Sequence, residues 1–240
     1  MTEALSSREA IFGNAKFVDL LNSVQLDLSG AQISFAAPLS FNAEIAKGKL
    51  LVNDMFKIYK FENLLYTIEL SGKEIKGYLE FSYSIWFNEM KSENDALLLY
   101  KKDASGKITN RLANAFYNYD EAAGIIYTID LSKPYGERIT IKSLADGTPF
   151  SEAAKYKVAV NSYRGNGGGD HLTKGAGIAK AEITGRILKS TEIDLRYYIM
   201  EYLKKNSPIT PKALNNRTFV PEIWYRQAKE REFNILFPNK

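Results

Sequence analysis

Residues 161–171 read Asn161-Ser162-Tyr163-Arg164-Gly165-Asn166-Gly167-Gly168-Gly169-Asp170-His171. Four of these eleven residues are glycines, so the backbone can adopt φ > 0 and lie close to a ligand. Interleaved with them are an aromatic ring, a guanidinium, a carboxylate and the only histidine of the chain. A loop with that chemistry suits a small planar polar molecule. The same composition also fits an ordinary glycine-rich turn, because such loops are weakly specific.

The elements that must hold this loop are readable from periodicity. Tyr156 to Asn161 predicts a strand running into it. Leu64 to Leu70 predicts another, ending at Ser71-Gly72-Lys73-Glu74, a capping box in which Ser71 and Glu74 satisfy the first helical N–H groups. The helix that follows carries Ile75, Tyr78, Leu79, Tyr83 and Trp86 on one face. An amphipathic helix is predicted over 15–28, with Phe17, Leu20, Leu21 and Val24 at helical spacing, and a short strand over Ala31 to Ala36. Gly124 to Leu131 alternates as a strand, Ser132 to Gly136 is a turn, and Arg138 to Ile141 returns as its hairpin partner. Ile178 to Thr184 reads as a further strand and Thr191 to Lys205 as a helix. Residues 206–240 hold four of the seven prolines and read as irregular, pinned by Trp224. Helices and strands without strict alternation, repeats or a linker predict one α+β domain over residues 1–240, with mixed sheets flanked by helices.

Composition narrows the chemistry. The 32 basic and 28 acidic residues leave a formal charge of +4, too mild to imply a nucleic-acid polymer as partner. With no cysteine, thiolate nucleophiles, disulfides and Cys-based zinc sites are excluded. One histidine cannot build a multi-His metal centre. An all-carboxylate site drawn from Asp120, Glu121, Asp130 and Asp170 has no recognisable ligand spacing. No apolar stretch is long enough to span a membrane, and the N-terminal residues lack the basic-then-apolar pattern of a leader.

Three blocks in order carry a resemblance. The first runs from Tyr59-Lys60-Phe61-Glu62-Asn63 through the Leu64–Leu70 strand to Ser71-Gly72-Lys73-Glu74-Ile75. The second is Tyr117-Asn118-Tyr119-Asp120 with Gly124 to Pro134. The third runs from Tyr156 to Arg164 and closes in Gly168-Gly169-Asp170. On these blocks the chain resembles the C-terminal domain of the 5′-nucleotidase and 2′,3′-cyclic-nucleotide phosphodiesterase family, over about residues 15–225. The resemblance implies a domain that binds the nucleoside or nucleotide while a metallophosphatase domain, absent here, holds divalent metals and hydrolyses. No catalytic residue, metal or cofactor is then expected in this chain, and a separate metallophosphatase chain becomes a candidate partner. The resemblance also implies a secreted or periplasmic setting. It places the base between Phe61 and Tyr163 and the ribose hydroxyls on Asp170, with Asn161, Gly168 and Gly169 also among the substrate-binding residues. Each base–aromatic stack is worth ~1–3 kcal/mol, and an ionised Asp can accept from two hydroxyls.

One departure is visible. The family's Asn-Gly-Gly-Gly-Ile-Arg segment falls near Ala36-Ala37-Pro38-Leu39-Ser40-Phe41, which has no Asn and no Arg. Arg164 is then a candidate to clamp phosphate instead, or a structural residue paired with Asp120 or Glu137. His171 either caps the loop or touches the ligand.

Overall fold

Side chains that alternate between buried and exposed make the long strands, and capped amphipathic segments make the helices. In the computed structural model, which describes residues 1–238, the chain begins with strand β1 (Leu5–Ser6), helix α1 (Lys16–Ser29), and strands β2 (Ile33–Ala36) and β3 (Glu44–Ile45). Helix α2 (Val52–Ile58), strand β4 (Leu65–Ser71) and helix α3 (Gly72–Ser84) follow. Next come β5 (Tyr100–Lys102), β6 (Ile108–Leu112), β7 (Glu121–Ala123), β8 (Ile125–Asp130), β9 (Ile139–Leu144) and β10 (Lys155–Asn161). After the one-turn helix α4 (Ser162–Gly165) lie β11 (Ile187–Ser190), α5 (Leu195–Lys205), β12 (Arg217–Val220) and α6 (Glu222–Leu236).

Five strands form the central sheet in the order β11-β4-β10-β2-β7. Strand β10 is antiparallel to β4, from Lys155 opposite Ser71 to Asn161 opposite Leu65, and parallel to β2. Successive side chains leave a strand on opposite faces. Ile33, Phe35, Ile68, Leu70, Val158 and Val160 therefore join one apolar cluster, while Ala36, Leu65 and Ala159 join the other. The first cluster is completed by α3 and by the three-stranded sheet β12-β8-β9. The second is completed by α1, α2 and α5. This is the expected α+β arrangement of mixed sheets flanked by helices. Among the described residues no helix is long and apolar enough to cross a membrane.

The capping box forms as read: Ser71 N–H donates to Glu74 Oε2 at 2.6 Å, and Glu74 N–H donates to Ser71 Oγ at 3.2 Å. The hairpin also forms, with β8 antiparallel to β9. Three expectations are corrected. The segment 178–184 is not a strand: it holds the 3-10 turn Lys180–Glu182 and the start of Thr184–Arg186. Its apolar residues Ile178 and Ile183 are buried five apart, which matches no strand alternation. The helix expected from Thr191 starts at Leu195, because the Asp194 side chain accepts from Tyr197 N–H at 3.2 Å and caps it there.

The C-terminal segment is not irregular. Strand β12 runs parallel to β8, and α6 packs Ala228, Trp224, Tyr225, Phe233 and Leu236 onto the first cluster. Pro221, which reads as a breaker, sits at the N-cap, where its missing N–H costs nothing. Behind β12 lies a fully buried charge cluster: the Arg217 guanidinium bridges Asp19 (2.7 Å) and Glu121. Burial pushes the Glu121 carboxyl up to about 7 against the pull of Arg217. Asn216 adds hydrogen bonds to the carbonyls of Ala122 (2.9 Å) and Ile125 (2.8 Å).

Removing one partner of a buried ion cluster leaves an uncompensated charge. Arg217→Met is expected to cost about 3–5 kcal/mol of unfolding free energy in urea titration. A loss well under that would mean that the apolar contacts of α6 alone hold the C-terminal segment.

Candidate functional site

The register of β4 and β10 builds the site. Asn161, the last residue of β10, lies opposite Leu65, the first of β4, so the segment entering β4 runs beside the loop leaving β10. A reciprocal pair of hydrogen bonds latches the two. Leu64 N–H donates to Ser162 Oγ (3.0 Å), and Ser162 N–H donates to the Leu64 carbonyl (2.8 Å). Phe61 and Tyr163 thereby line one cleft of about 490 Å³, together with Asn161, Asn63, Leu39, Tyr117 and Lys60. That volume lies within the usual range for a small-molecule site, roughly 300–1,000 Å³. Tyr163 is 49% exposed, and Phe61 is half-buried.

The glycines hold the Tyr163 ring and the Arg164 head. A Cβ at Gly168 would sit 2.6 Å from a Tyr163 ring carbon. One at Gly169, whose φ is +73°, would sit 2.3 Å from Arg164 Nη1. Both positions therefore exclude side chains, and the loop can close onto Arg164. Asn161 is the N-cap of α4, its Oδ1 accepting from Arg164 N–H at 2.9 Å. That leaves its amide N–H groups as what it can offer to the cleft.

Arg164 is not a phosphate clamp in this arrangement. It is buried at 2% exposure, and its guanidinium is spent. Nε and Nη2 donate to the two Asp120 oxygens (2.8 and 3.0 Å), and Nη2 also to the Tyr117 carbonyl (2.8 Å). Nη1 donates to the Gly168 carbonyl (3.2 Å) and Asn118 Oδ1 (3.4 Å). An arginine has five N–H donors, so none remains. Of the two structural partners read from sequence, Asp120 is the one it takes. Burial alone would raise the Asp120 carboxyl, but Arg164 beside it holds it below the usual range. Tyr78 O–H also donates to Asp120. Arg164 positions the site from beneath, with its Cζ 5.4 Å from the Tyr163 ring centroid.

Asp170 does not line the cleft. Its side chain is half-exposed, pairs with Lys174 Nζ at 2.9 Å and accepts from Thr173 Oγ1 at 3.4 Å. The Lys174 hydrogen bond holds its carboxyl below the usual range. His171 is fully buried, packed against Tyr78 and Phe81. Its Nδ1 lies 2.9 Å from the Gly169 carbonyl, so it closes the loop rather than lining the cleft. Its Nε2 has no partner among the described residues.

Four lining residues, Leu39, Lys60, Asn63 and Tyr117, carried no role in the sequence reading. Tyr117 meets Phe61 edge-on, with ring centroids 6.0 Å apart. Lys60 Nζ lies 4.9 Å from the Phe61 centroid. Both stand in the quoted sequence blocks, and an aromatic-rich block flanking a lysine was the available signal. Among the described residues no group of three or more His, Cys, Asp or Glu side chains is placed to hold a metal ion. Asp120 and Glu121 are instead committed to arginines.

A comparison with protein families finds one match. Its sequence model, described as "5′-nucleotidase, C-terminal domain", matches residues 2–174. The chain is 27% identical over 198 residues to the trifunctional nucleotide phosphoesterase protein YfkN of Bacillus subtilis, covering 76% of this chain and 12% of that protein. It is 30% identical over 197 residues to the 2′,3′-cyclic-nucleotide 2′-phosphodiesterase/3′-nucleotidase of Salmonella typhimurium, covering 77% and 28%. It thus spans little more than a quarter of these relatives at most. The crystal structure of a 5′-nucleotidase precursor from Thermus thermophilus superposes with a TM-score of 0.67 at 22% identity, covering 92% of this chain and 39% of that one.

Burial holds the His171 imidazole neutral, its pKa lowered to about 4, with Arg164 acting in the same direction. A lowered histidine pKa contributes stability that is fully present above its unfolded value near 6.5 and is lost as pH falls toward 4. The unfolding free energy of the wild type relative to His171→Gln should therefore shrink by up to about 3 kcal/mol between pH 7 and 4, read from urea titrations. A difference that stays flat with pH would show that the ring takes up its proton freely in the folded state.

Proposed function

The chain belongs to the 5′-nucleotidase C-terminal domain family, and from that premise we propose that it is a nucleotide- or nucleoside-recognition domain acting beside a separate metallophosphatase chain. The observation that carries the reading is that Phe61 and Tyr163, far apart in sequence, line one cleft. In this reading the base stacks between the two rings, each contact worth ~1–3 kcal/mol whatever the base. The Asn161 and Asn63 carboxamides offer hydrogen bonds to the ligand edge. Asp170, outside the cleft lining, receives the ribose hydroxyls where the sugar extends past the cleft, in competition with the Lys174 ammonium that now holds it. The divalent metals and the hydrolytic water belong to the partner, because Asp120 and Glu121 are tied to Arg164 and Arg217. The 1–240 chain works in this scheme as one substrate-holding unit.

A second reading is a stand-alone nucleoside-binding module without a catalytic partner. It draws on the same observation, that Phe61 and Tyr163 line one cleft. Recovery of a metallophosphatase chain with this protein from native extract separates the two.

Calorimetric titration with adenosine tests the site itself. Binding is expected, and Tyr163→Ala should weaken it about ten- to hundredfold while leaving the thermal unfolding midpoint nearly unchanged, since the ring is half-exposed. No heat up to millimolar adenosine with folded protein removes the reading, as does a Tyr163→Ala variant that binds like the wild type.

A further inference from the structure

With Arg164 spent, one cation faces the cleft. Lys60 is the only charged residue among those lining it; Leu39, Phe61, Asn63, Tyr117, Asn161 and Tyr163 are neutral. Lys60 Nζ has no carboxylate within ion-pairing distance among the described residues, and the neighbouring Glu62 is drawn to Arg196 at 3.3 Å. The ammonium rests instead on aromatic rings, 4.9 Å from the centroid of Phe61, 5.7 Å from Phe116 and 6.0 Å from Tyr117. A cation held over a ring face is attracted by the ring quadrupole, and here one of those rings is a proposed stacking wall.

We infer that Lys60 sets the charge specificity of the cleft: its ammonium rests at the Phe61 ring and yields it when a ligand brings an anionic group to receive it. This rests on the base-stacking reading above. A neutral aromatic ligand must displace the ammonium from the ring and gives it nothing in return. An aromatic ligand carrying a phosphate displaces it and then pairs with it. The cleft therefore selects phosphorylated over neutral nucleosides through one side chain that opposes the first class and attracts the second.

The distinguishing signature is a change of opposite sign for the two ligands on one substitution. Adenosine and AMP are titrated at low ionic strength into the wild type, Lys60→Met and Lys60→Arg. The wild type should bind AMP about tenfold more tightly than adenosine. Lys60→Met, which keeps the stem and removes the charge, should weaken AMP by about tenfold and tighten adenosine by about two- to fivefold. Lys60→Arg should keep the preference for AMP. Lys60 is exposed, so all three proteins should unfold at similar temperatures. If both ligands bind and the AMP-to-adenosine ratio survives Lys60→Met, Lys60 does not read charge, and the stacking site stands without it. Adenosine affinity that falls in Lys60→Met likewise overturns the displacement argument. If neither ligand binds the wild type, the site reading and this inference fall together.

Discussion

The buried pair of Asp120 and Arg164 is the contact on which the site depends. Both side chains are 2% exposed, and withdrawing two charges from water is offset only when their hydrogen-bonding capacity is filled. Here it is. Arg164 donates to Asp120, Asn118 and the Tyr117 and Gly168 carbonyls. Asp120 also accepts from Tyr78 on α3, while its backbone is held both ways by Ser82. One ion pair thus fixes three chain segments to each other: α3, the stretch before β7, and the loop after β10. Tyr117 and Tyr163 belong to two of those segments. The distance between them is set by a charge interaction that no ligand touches.

The other wall follows from backbone geometry. The β4–β10 register and the Leu64–Ser162 latch carry Phe61 to the cleft that Tyr163 also lines. Placing aromatic rings on elements that are already ordered reduces the cost of ordering them on binding. The side chain left adaptable is Lys60, a long flexible stem whose head rests on rings instead of in an ion pair. Under the proposed reading, the aromatic walls hold a ring system and Lys60 senses what is attached to it.

Much of this was readable from the chain. The alternation of β4 and β10, the Ser71–Glu74 box and the glycines beside Tyr163 each follow from short-range chemistry, and the structure contains them. That Phe61 and Tyr163 face one cleft came through the resemblance, since no local pattern joins residues so far apart. The fate of Arg164 was not legible, because a guanidinium beside a glycine loop serves a phosphate or a buried carboxylate equally well. Only the position of Asp120 decides. The C-terminal helix was hidden for a related reason. Its face toward the core is narrow, and the strand before it is held by Arg217 against Asp19 and Glu121, partners far from it in sequence. Lys60 escaped notice because a lone lysine reads as solvated until the rings beneath it are placed.

That same Arg217 cluster bears on how the molecule comes into being. Asp19 lies on the first long helix and Glu121 at the edge of the central sheet, both fully buried. Their shared counter-charge arrives only at residue 217. During synthesis, two carboxylates that the finished protein keeps apart from water precede their shared counter-charge by 198 residues (217 − 19) and 96 residues (217 − 121). The apolar faces of the sheet can assemble early, but the last layer closes when the late-made arginine slots between acids laid down long before. A strand made late ties down a helix made well before it.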